Sequence, residues 1–276
     1  MSKARILYVS QEIQPFCPET IISRISRHLP QGAHEKDKEI RVFMPRYGKI
    51  NERRHQLHEV IRLSGMNLII DDTDHPLIIK VASIPSARMQ VYFIDNEEFF
   101  KRKAYVTQED GEMFEDADER SMFFVRGVLE TVKKLGWVPD VIHSHGWMSA
   151  PLGMYVKEVY KNDAHFSNSK LVYSIYEDGF EGVLNENFSK KLVQDGVSEA
   201  AAEIVKEPTF VNLNKLAVHY SDAVIVNGEN IDSELRTFVD NSDSVSITCD
   251  NEDNIVAEAT TLYDTILEGK PALVEE

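Results

Sequence analysis

The stretch DERSMFFVRGVLETVKKLGWVPDVIHSHGW, residues 118–147, decides the fold. Met122, Val125, Leu129, Val132 and Leu135 recur near a 3.6-residue period, which predicts a helix over 118–135 with one apolar face. Beyond Gly136 and Pro139, Val141-Ile142-His143 reads as a short buried strand. A helix feeding straight into a buried strand is half of a βαβ unit, and the same alternation repeats on both sides. Upstream, Ile6-Leu7-Tyr8-Val9 reads as a strand, and Ile21, Ile22, Ile25 and Leu29 share a helical face. Pro18 is expected in the first turn of that helix, with Pro30 and Gly32 ending it. Residues 40–44 give a second strand stopped by Pro45. Downstream, a helix closes over 155–160, followed by a strand at 171–175, a helix at 213–220 and a strand at 223–226. Between 58 and 96, β-rich runs at 60–63, 68–70, 77–81 and 90–94 are separated by Gly, Asp and Pro, which predicts inserted β-hairpins. The expectation is an α/β fold, a Rossmann-like parallel sheet with helices on both faces. Ligands on such sheets bind beyond the carboxyl ends of the strands, here 10–16, 45–48, 144–147, 176–182 and 227–230.

The 276 residues are 42% hydrophobic and 9% aromatic, which excludes wholesale disorder. Against 46 Asp+Glu stand 30 Lys+Arg, a net charge of −16 that would repel nucleic acid or an anionic membrane. No apolar run approaches the ~18 residues of a spanning helix. The opening Met1-Ser2-Lys3-Ala4-Arg5 turns polar too quickly for a signal peptide. Cys17 and Cys249 supply neither a disulfide framework nor a zinc site, so a soluble cytoplasmic protein is expected. The acidity is concentrated: thirteen acidic and two basic residues give −11 within 229–276, leaving −5 for the first 228. We divide the chain into a lobe over 1–240 and an appendage over 241–276, an acidic flexible linker followed by one helix. The acidic surface reads as solvated rather than as a docking tail. Ile255, Val256, Ala259, Leu262, Tyr263, Ile266 and Leu267 form the helix's apolar face, expected to dock back on the lobe rather than on a partner.

Thirteen glycines contain no Gly-x-Gly, so the dinucleotide and kinase glycine loops are absent. Gly48-Lys49 and Gly269-Lys270 lack the Ser/Thr of a Walker A loop. His143-x-His145 has a spacing compatible with a metal, but no nearby carboxylate or Cys completes it, and the structural reading is preferred. Phe99-Phe100 and Phe123-Phe124 read as packing, and no Gly-x-Ser-x-Gly or Cys–His signature occurs. No metal or cofactor is expected.

The residues at the strand ends give more. The chain resembles the glycogen/starch synthases, retaining glucosyltransferases of the two-lobed GT-B fold, and the likeness is to their first lobe. It rests on Val42-Phe43-Met44-Pro45-Arg46-Tyr47-Gly48 and on Val91-Tyr92-Phe93-Ile94-Asp95-Asn96-Glu97-Glu98-Phe99-Phe100. It is strongest from Phe124-Val125-Arg126-Gly127-Val128-Leu129-Glu130 through Leu135-Gly136-Trp137 and Pro139-Asp140-Val141-Ile142-His143 to His145 and Trp147. Asn212-Leu213-Asn214-Lys215 and Tyr220-Ser221-Asp222-Ala223 continue it, so that residues 3–235 are covered in one register.

The departures fall on the chemistry. Where the family has Lys-x-Gly-Gly-Leu to meet the sugar nucleotide, this chain has Pro18 at the lysine and Thr20 and Ile21 at the glycines. Proline brings neither charge nor an amide donor, and Ile21 blocks close backbone approach. The family's His-Asp-Trp-His becomes His145-Gly146-Trp147-Met148, and its Ile-His-Asn becomes Ile175-Tyr176-Glu177. The 48 residues after Gly228 are too few for the family's second lobe, whose cationic groups surround the leaving diphosphate. The resemblance therefore implies a single-lobe relative that is not an autonomous transferase and has a binding or regulatory role in glucan metabolism. Arg46, Tyr47, Asp95, Asn96, His145 and Trp147 are its candidate sugar contacts, with Arg46 and Asp95 for hydroxyls and Tyr47 or Trp147 for stacking on a pyranose. A core role for Trp147 and a turn or cap role for Asp95 are equally open. The expected ligands are an α-glucan or a sugar nucleotide, and the expected protein partner is a full-length synthase or a separate second lobe. Two other readings stand beside it. One is an active glucosyltransferase moving glucose from ADP-glucose or UDP-glucose to an α-1,4-glucan, with a second lobe in trans or a remodelled site at Tyr176 and Glu177. The other is a scaffold for a full-length synthase.

Overall fold

The computed structural model describes residues 3–177 and 179–269, so residues 270–276 of the expected appendage lie outside it. Among the described residues the strands are β1 (Arg5–Ser10), β2 (Glu39–Pro45), β3 (His58–Glu59), β4 (Met66–Ile70), β5 (Thr73–Ile84), β6 (Met89–Asp95), β7 (Val141–His145), β8 (Lys170–Tyr176), β9 (Ala223–Asn227) and β10 (Val245–Cys249). They run in the order β10-β9-β8-β7-β1-β2-β6-β5-β3, with β4 on β5. Every pairing from β10 to β6 is parallel, whereas β5 is antiparallel to β6 and carries β3 and β4 antiparallel. Central strands are buried on both faces, so Ile6 to Val9 is an unbroken apolar run rather than an alternation.

The helices are α1 (Ile21–Glu35), α2 (Glu52–His55), α3 (Glu97–Phe100), α4 (Ala117–Lys134), α5 (Leu152–Met154), α6 (Phe188–Gln194), α7 (Glu199–Ala202), α8 (Phe210–His219), α9 (Ser233–Asp240) and α10 (Ile255–Glu268). On one face, Ser26 of α1 lies 2.7 Å from Ser10, and Tyr263 of α10 lies 2.6 Å from His143 Nδ1. On the other, Tyr173 Oη donates to Asn214 of α8 at 2.9 Å, and Gly127 lets α4 close onto the sheet. A Cβ at Gly127 would stand 2.9 Å from Ile94. The α/β class expected from the sequence is the one observed. Among the described residues, no helix is long and apolar enough to cross a membrane.

Four expectations are corrected. Pro30 and Gly32 do not end α1, which runs on to Glu35 with Pro30 inside it. Burial of Ile22, Ile25, Leu29 and Ala33 offsets the lost hydrogen bond, and Gly32 leaves room for Val256 of α10, whose Cγ1 would be 2.4 Å from a Cβ there. Pro18 precedes the helix, because Thr20 is its N-cap. Residues 60–63 make a turn closed by Leu63 N–H to Val60 O at 2.8 Å, and the strand begins at Met66. Finally, 241–254 is not a free linker: β10 joins the sheet in parallel register with β9, Val245 opposite Ala223 and Cys249 opposite Asn227. Beyond it α10 packs on α1 and buries Ile255, Ala259, Leu262, Tyr263 and Ile266, while Leu267 stays exposed.

Candidate functional site

The carboxyl ends of β1, β7, β8 and β9 converge, as in other open parallel sheets. The loop from β1 to α1 comes first, since a helix N-terminus facing such a crevice is the natural seat for an anion. Here that seat is occupied by the chain itself. Thr20 Oγ1 accepts the Ser23 N–H at 3.0 Å while Ser23 Oγ accepts the Thr20 N–H at 2.9 Å, a complete capping box. The Thr20 hydroxyl then donates to Glu12 Oε2 at 2.6 Å, and Ser23 Oγ donates to Pro18 O at 2.8 Å. A carboxylate, two hydroxyls and the Pro18 carbonyl thus gather at the α1 N-terminus, with Pro18, Thr20 and Ile21 at the positions that the resemblance aligns with the family's lysine and glycines. Ile21 sits half-buried at the first helical position.

The β7 turn is closed by the same loop. Gly146 adopts φ 81 and ψ 160, and a Cβ on it would stand 2.4 Å from Gln11 Oε1. That carboxamide accepts the Met148 N–H at 3.3 Å, and Gln11 N–H donates to His145 O at 3.2 Å. Tyr47 completes the clasp by donating from Oη to Gln11 O at 2.8 Å.

Tyr47 is wholly buried with its ring edge-on to Phe100 and Tyr105, so the expected stacking on a sugar has no ring face to use. Trp147 is also buried, 5.2 Å from Phe180, which favours the core-anchor reading. Asn96 caps α3, accepting from Glu98 and Phe99 N–H and donating to Pro76 O at 2.9 Å. Arg46 and Asp95 belong to a charge ring with two residues the sequence reading missed. Lys80 lies 2.7 Å from Glu52 and 2.9 Å from Asp95, while Arg46 pairs with Glu52 and reaches Asp95 at 3.9 Å. Burial works against the Glu52 charge, but hydrogen bonds from Lys80 and Arg46 outweigh it and hold its pKa below the usual range.

His145 is fully buried, with Nδ1 2.7 Å from Tyr176 Oη, and its ring centroid is 4.0 Å from that of His143. His143 has Tyr263 Oη at Nδ1 and Ser174 Oγ at Nε2. Burial pushes both imidazoles down, His145 to about 3, and the neighbouring His145 adds to the effect on His143. Both histidines titrate near 6.5 once unfolded, so stability is fully present above that pH and is lost as pH falls toward the folded values. At pH 5 the His145 contribution alone amounts to about 2 kcal/mol. Urea melts at pH 7 and pH 5 test this. His145→Gln should remove about 2 kcal/mol of the wild-type loss between pH 7 and pH 5, and an unchanged slope would locate the proton uptake elsewhere.

The remaining feature is a cleft of about 330 Å³ beyond β8 and β9, walled by Tyr176, Glu177, Phe180, Thr209, Phe210 and Asp232. Glu177 Oε1 accepts the Asn230 N–H at 2.8 Å and so ties the β8 loop to the β9 loop. Thus Tyr176, Glu177 and His145 come together, whereas Arg46, Asp95 and Asn96 sit with β2 and β6.

Residues 5–244 match the family model of the starch synthase catalytic domain. The chain belongs to that family. It is 37% identical over 197 residues to a glycogen synthase of Chlorobium limicola, covering 71% of this chain and 40% of the relative. Against a glycogen synthase of Chlorobium phaeovibrioides the figures are 35% over 220 residues, 79% and 44%. In three dimensions it is similar to the catalytic domain of Starch Synthase IV from Arabidopsis thaliana bound to ADP and acarbose, with a TM-score of 0.70 at 15% identity. That match covers 92% of this chain and 53% of the other, and it speaks for the fold. The chain spans 40% and 44% of the length of these two glycogen synthases. Gln11, Glu12 and Phe180 fall within the strand-end loops 10–16 and 176–182 that the sequence marks, although none of them is singled out by it, whereas Glu52, Lys80 and Phe210 lie outside every strand-end loop so marked.

Proposed function

We propose that this glycogen/starch synthase-like lobe binds glucan without transferring glucose on its own, in a binding or regulatory role. The observation that carries the reading is the closure of the α1 N-terminus by Glu12, Thr20 and Ser23, with Pro18 at the position of the family lysine. A sugar nucleotide needs positive potential where its diphosphate lies, and this loop presents a carboxylate there. The family's second lobe, joined or in trans, would meet a first lobe whose own donor loop is shut. Its ligands are then an α-glucan rather than a nucleotide sugar, and its protein partner is a full-length synthase.

Two results are expected. Purified protein transfers no radiolabelled glucose from ADP-glucose or UDP-glucose to glycogen above a no-enzyme blank. The triple variant Pro18→Lys, Thr20→Gly, Ile21→Gly reopens the α1 N-terminus but keeps the departures at Gly146, Tyr176 and Glu177, so it stays inactive, and it loses roughly 1–3 kcal/mol of stability because glycine enters the first turn and the Thr20 contacts go. Turnover by the wild-type chain that disappears in Glu177→Ala would replace this reading with a remodelled active site.

A further inference from the structure

The sheet protects one of its margins and leaves the other bare. At the protected margin β3 is only two residues long, His58 and Glu59, and Arg126 donates to the Ile69 carbonyl of β4. Short edges, charged side chains and covered carbonyls are the usual defences against a stray strand. At the opposite margin β10 has none of them. Val245-Ser246-Ile247-Thr248-Cys249 carries no charge and no proline, and its register with β9 runs without a bulge. The Val245 N–H donates to Asp222 O at 3.1 Å, so Val245, Ile247 and Cys249 turn their backbone groups toward β9. The ladder alternates, and Ser246 and Thr248 therefore turn theirs outward. Among the described residues no backbone or side chain pairs with those outward N–H and C=O groups. Val245 and Ile247 are half-buried, apolar side chains that one more strand would cover.

The charges around β10 select what can join it. Asp240 and Asp243 precede the strand, Asp250 and Asp253 follow it, and all four are exposed. None of the four is in an ion pair among the described residues, whereas Glu252 beside them is held by Arg24 at 2.6 Å. Against them stands Arg236, which donates to Thr248 Oγ1 at 3.2 Å. Two copies of this chain paired antiparallel through the edge, Ser246 of one opposite Thr248 of the other, would set Asp243 of each beside Asp250 of its mate. Like charges so placed oppose self-pairing. A strand with cations at both ends meets the same frame with attraction, and the net charge of −16 speeds its approach.

We propose that the outer edge of β10 docks an extended segment of another protein, β-branched at its centre and flanked by lysine or arginine, which joins the sheet as a further strand. This goes beyond the closed donor loop and does not depend on it. The probe is the capped peptide Lys-Arg-Val-Thr-Ile-Thr-Val-Arg-Lys, titrated into the isotope-labelled full chain. Exchange of the Ser246 and Thr248 amide protons should slow on binding. Affinity should exceed by roughly tenfold that of two controls, the same peptide with proline at its centre and one with glutamate for each cation. Ser246→Pro deletes an outward N–H without touching the β9 ladder and should weaken binding roughly tenfold. Asp243→Asn with Asp250→Asn, at exposed positions, should weaken it several-fold and flatten its salt dependence. A urea melt checks that each variant folds. Equal binding of the proline-bearing peptide would reduce the contact to charge alone and overturn the added strand. Equal binding of the glutamate peptide would overturn the choice of a cationic partner. A wild-type dimer in sedimentation that Ser246→Pro dissolves would give the edge to a second copy instead. Amides left unprotected by the cationic peptide at millimolar concentration would overturn the docking edge outright. Each of these outcomes leaves the absence of glucose transfer untouched.

Discussion

Deletion of residues 241–276 will leave a chain without a cooperative unfolding transition. The described part of that segment supplies the edge strand β10 and the helix α10, which packs on α1 and β9 and sets Tyr263 against Tyr8 of β1 and His143 of β7. Ile255, Leu262, Tyr263 and Ile266 are buried, and burying each such side chain contributes about 1.5–3 kcal/mol, an upper estimate because unfolded chains are partly compact. Together they approach the whole stability of a domain, about 5–15 kcal/mol. The bonds at the rim add little by comparison. Arg24 holds Glu252 at 2.6 and 3.1 Å, but this pair is exposed and worth less than about 1 kcal/mol. Removing α10 would also open His143, whose Nδ1 has Tyr263 Oη at 2.6 Å, and Tyr8, whose ring lies edge-on to that of Tyr263. The truncated protein should bind an apolar-surface dye and aggregate on warming. Leu262→Ala gives the same test in a chain that still folds, with an expected loss of about 2–4 kcal/mol. A truncated protein melting within about 2 °C of the full chain would show that the helix contributes nothing to the lobe.

The reason that segment was misread is physical. Val245-Ser246-Ile247-Thr248-Cys249 alternates apolar and polar, the mark of a strand with one wet face, but it lies between acidic and asparagine-rich runs. As an edge strand it needs only one buried side, and its neighbours in sequence hide that signal. The central strands were legible because parallel sheets bury both faces and so leave continuous apolar runs. Pro30 was misleading for the opposite reason: local chemistry says stop, while packing on the sheet and on α10 carries the helix on. At the site, the departures at Pro18, Gly146 and Tyr176 were visible from the residues alone. What replaced the missing groups was not. Glu12 reaches Thr20 across a loop, Lys80 reaches Asp95 from a neighbouring strand, and Tyr47 turns inward, all consequences of tertiary placement that spacing in the sequence does not carry.

Gly146→Asp, which would restore the family's residue, is expected to be the most damaging single substitution in the site. Three costs coincide. The backbone at φ 81 and ψ 160 lies in a region held almost solely by glycine, so any side chain brings about 1–3 kcal/mol of strain. The new Cβ would stand 2.4 Å from Gln11 Oε1 and 2.5 Å from its Cδ, so the buried Gln11 side chain must leave. Its departure strips the Met148 N–H of its acceptor, and a buried donor left unpaired costs about 1–3 kcal/mol. A destabilisation of about 3–5 kcal/mol follows, measurable by urea denaturation. The costs can be separated. Gly146→Ala reports the strain and the clash without a charge. Gln11→Ala with Gly146→Asp relieves the clash but leaves the strain, and it should recover roughly 1–2 kcal/mol relative to Gly146→Asp alone. None of these variants should transfer glucose, because the α1 N-terminus stays closed in all of them. If Gly146→Asp were as stable as the wild type to within about 0.5 kcal/mol, the clasp between Gln11 and the β7 turn would not be what keeps the carboxylate out.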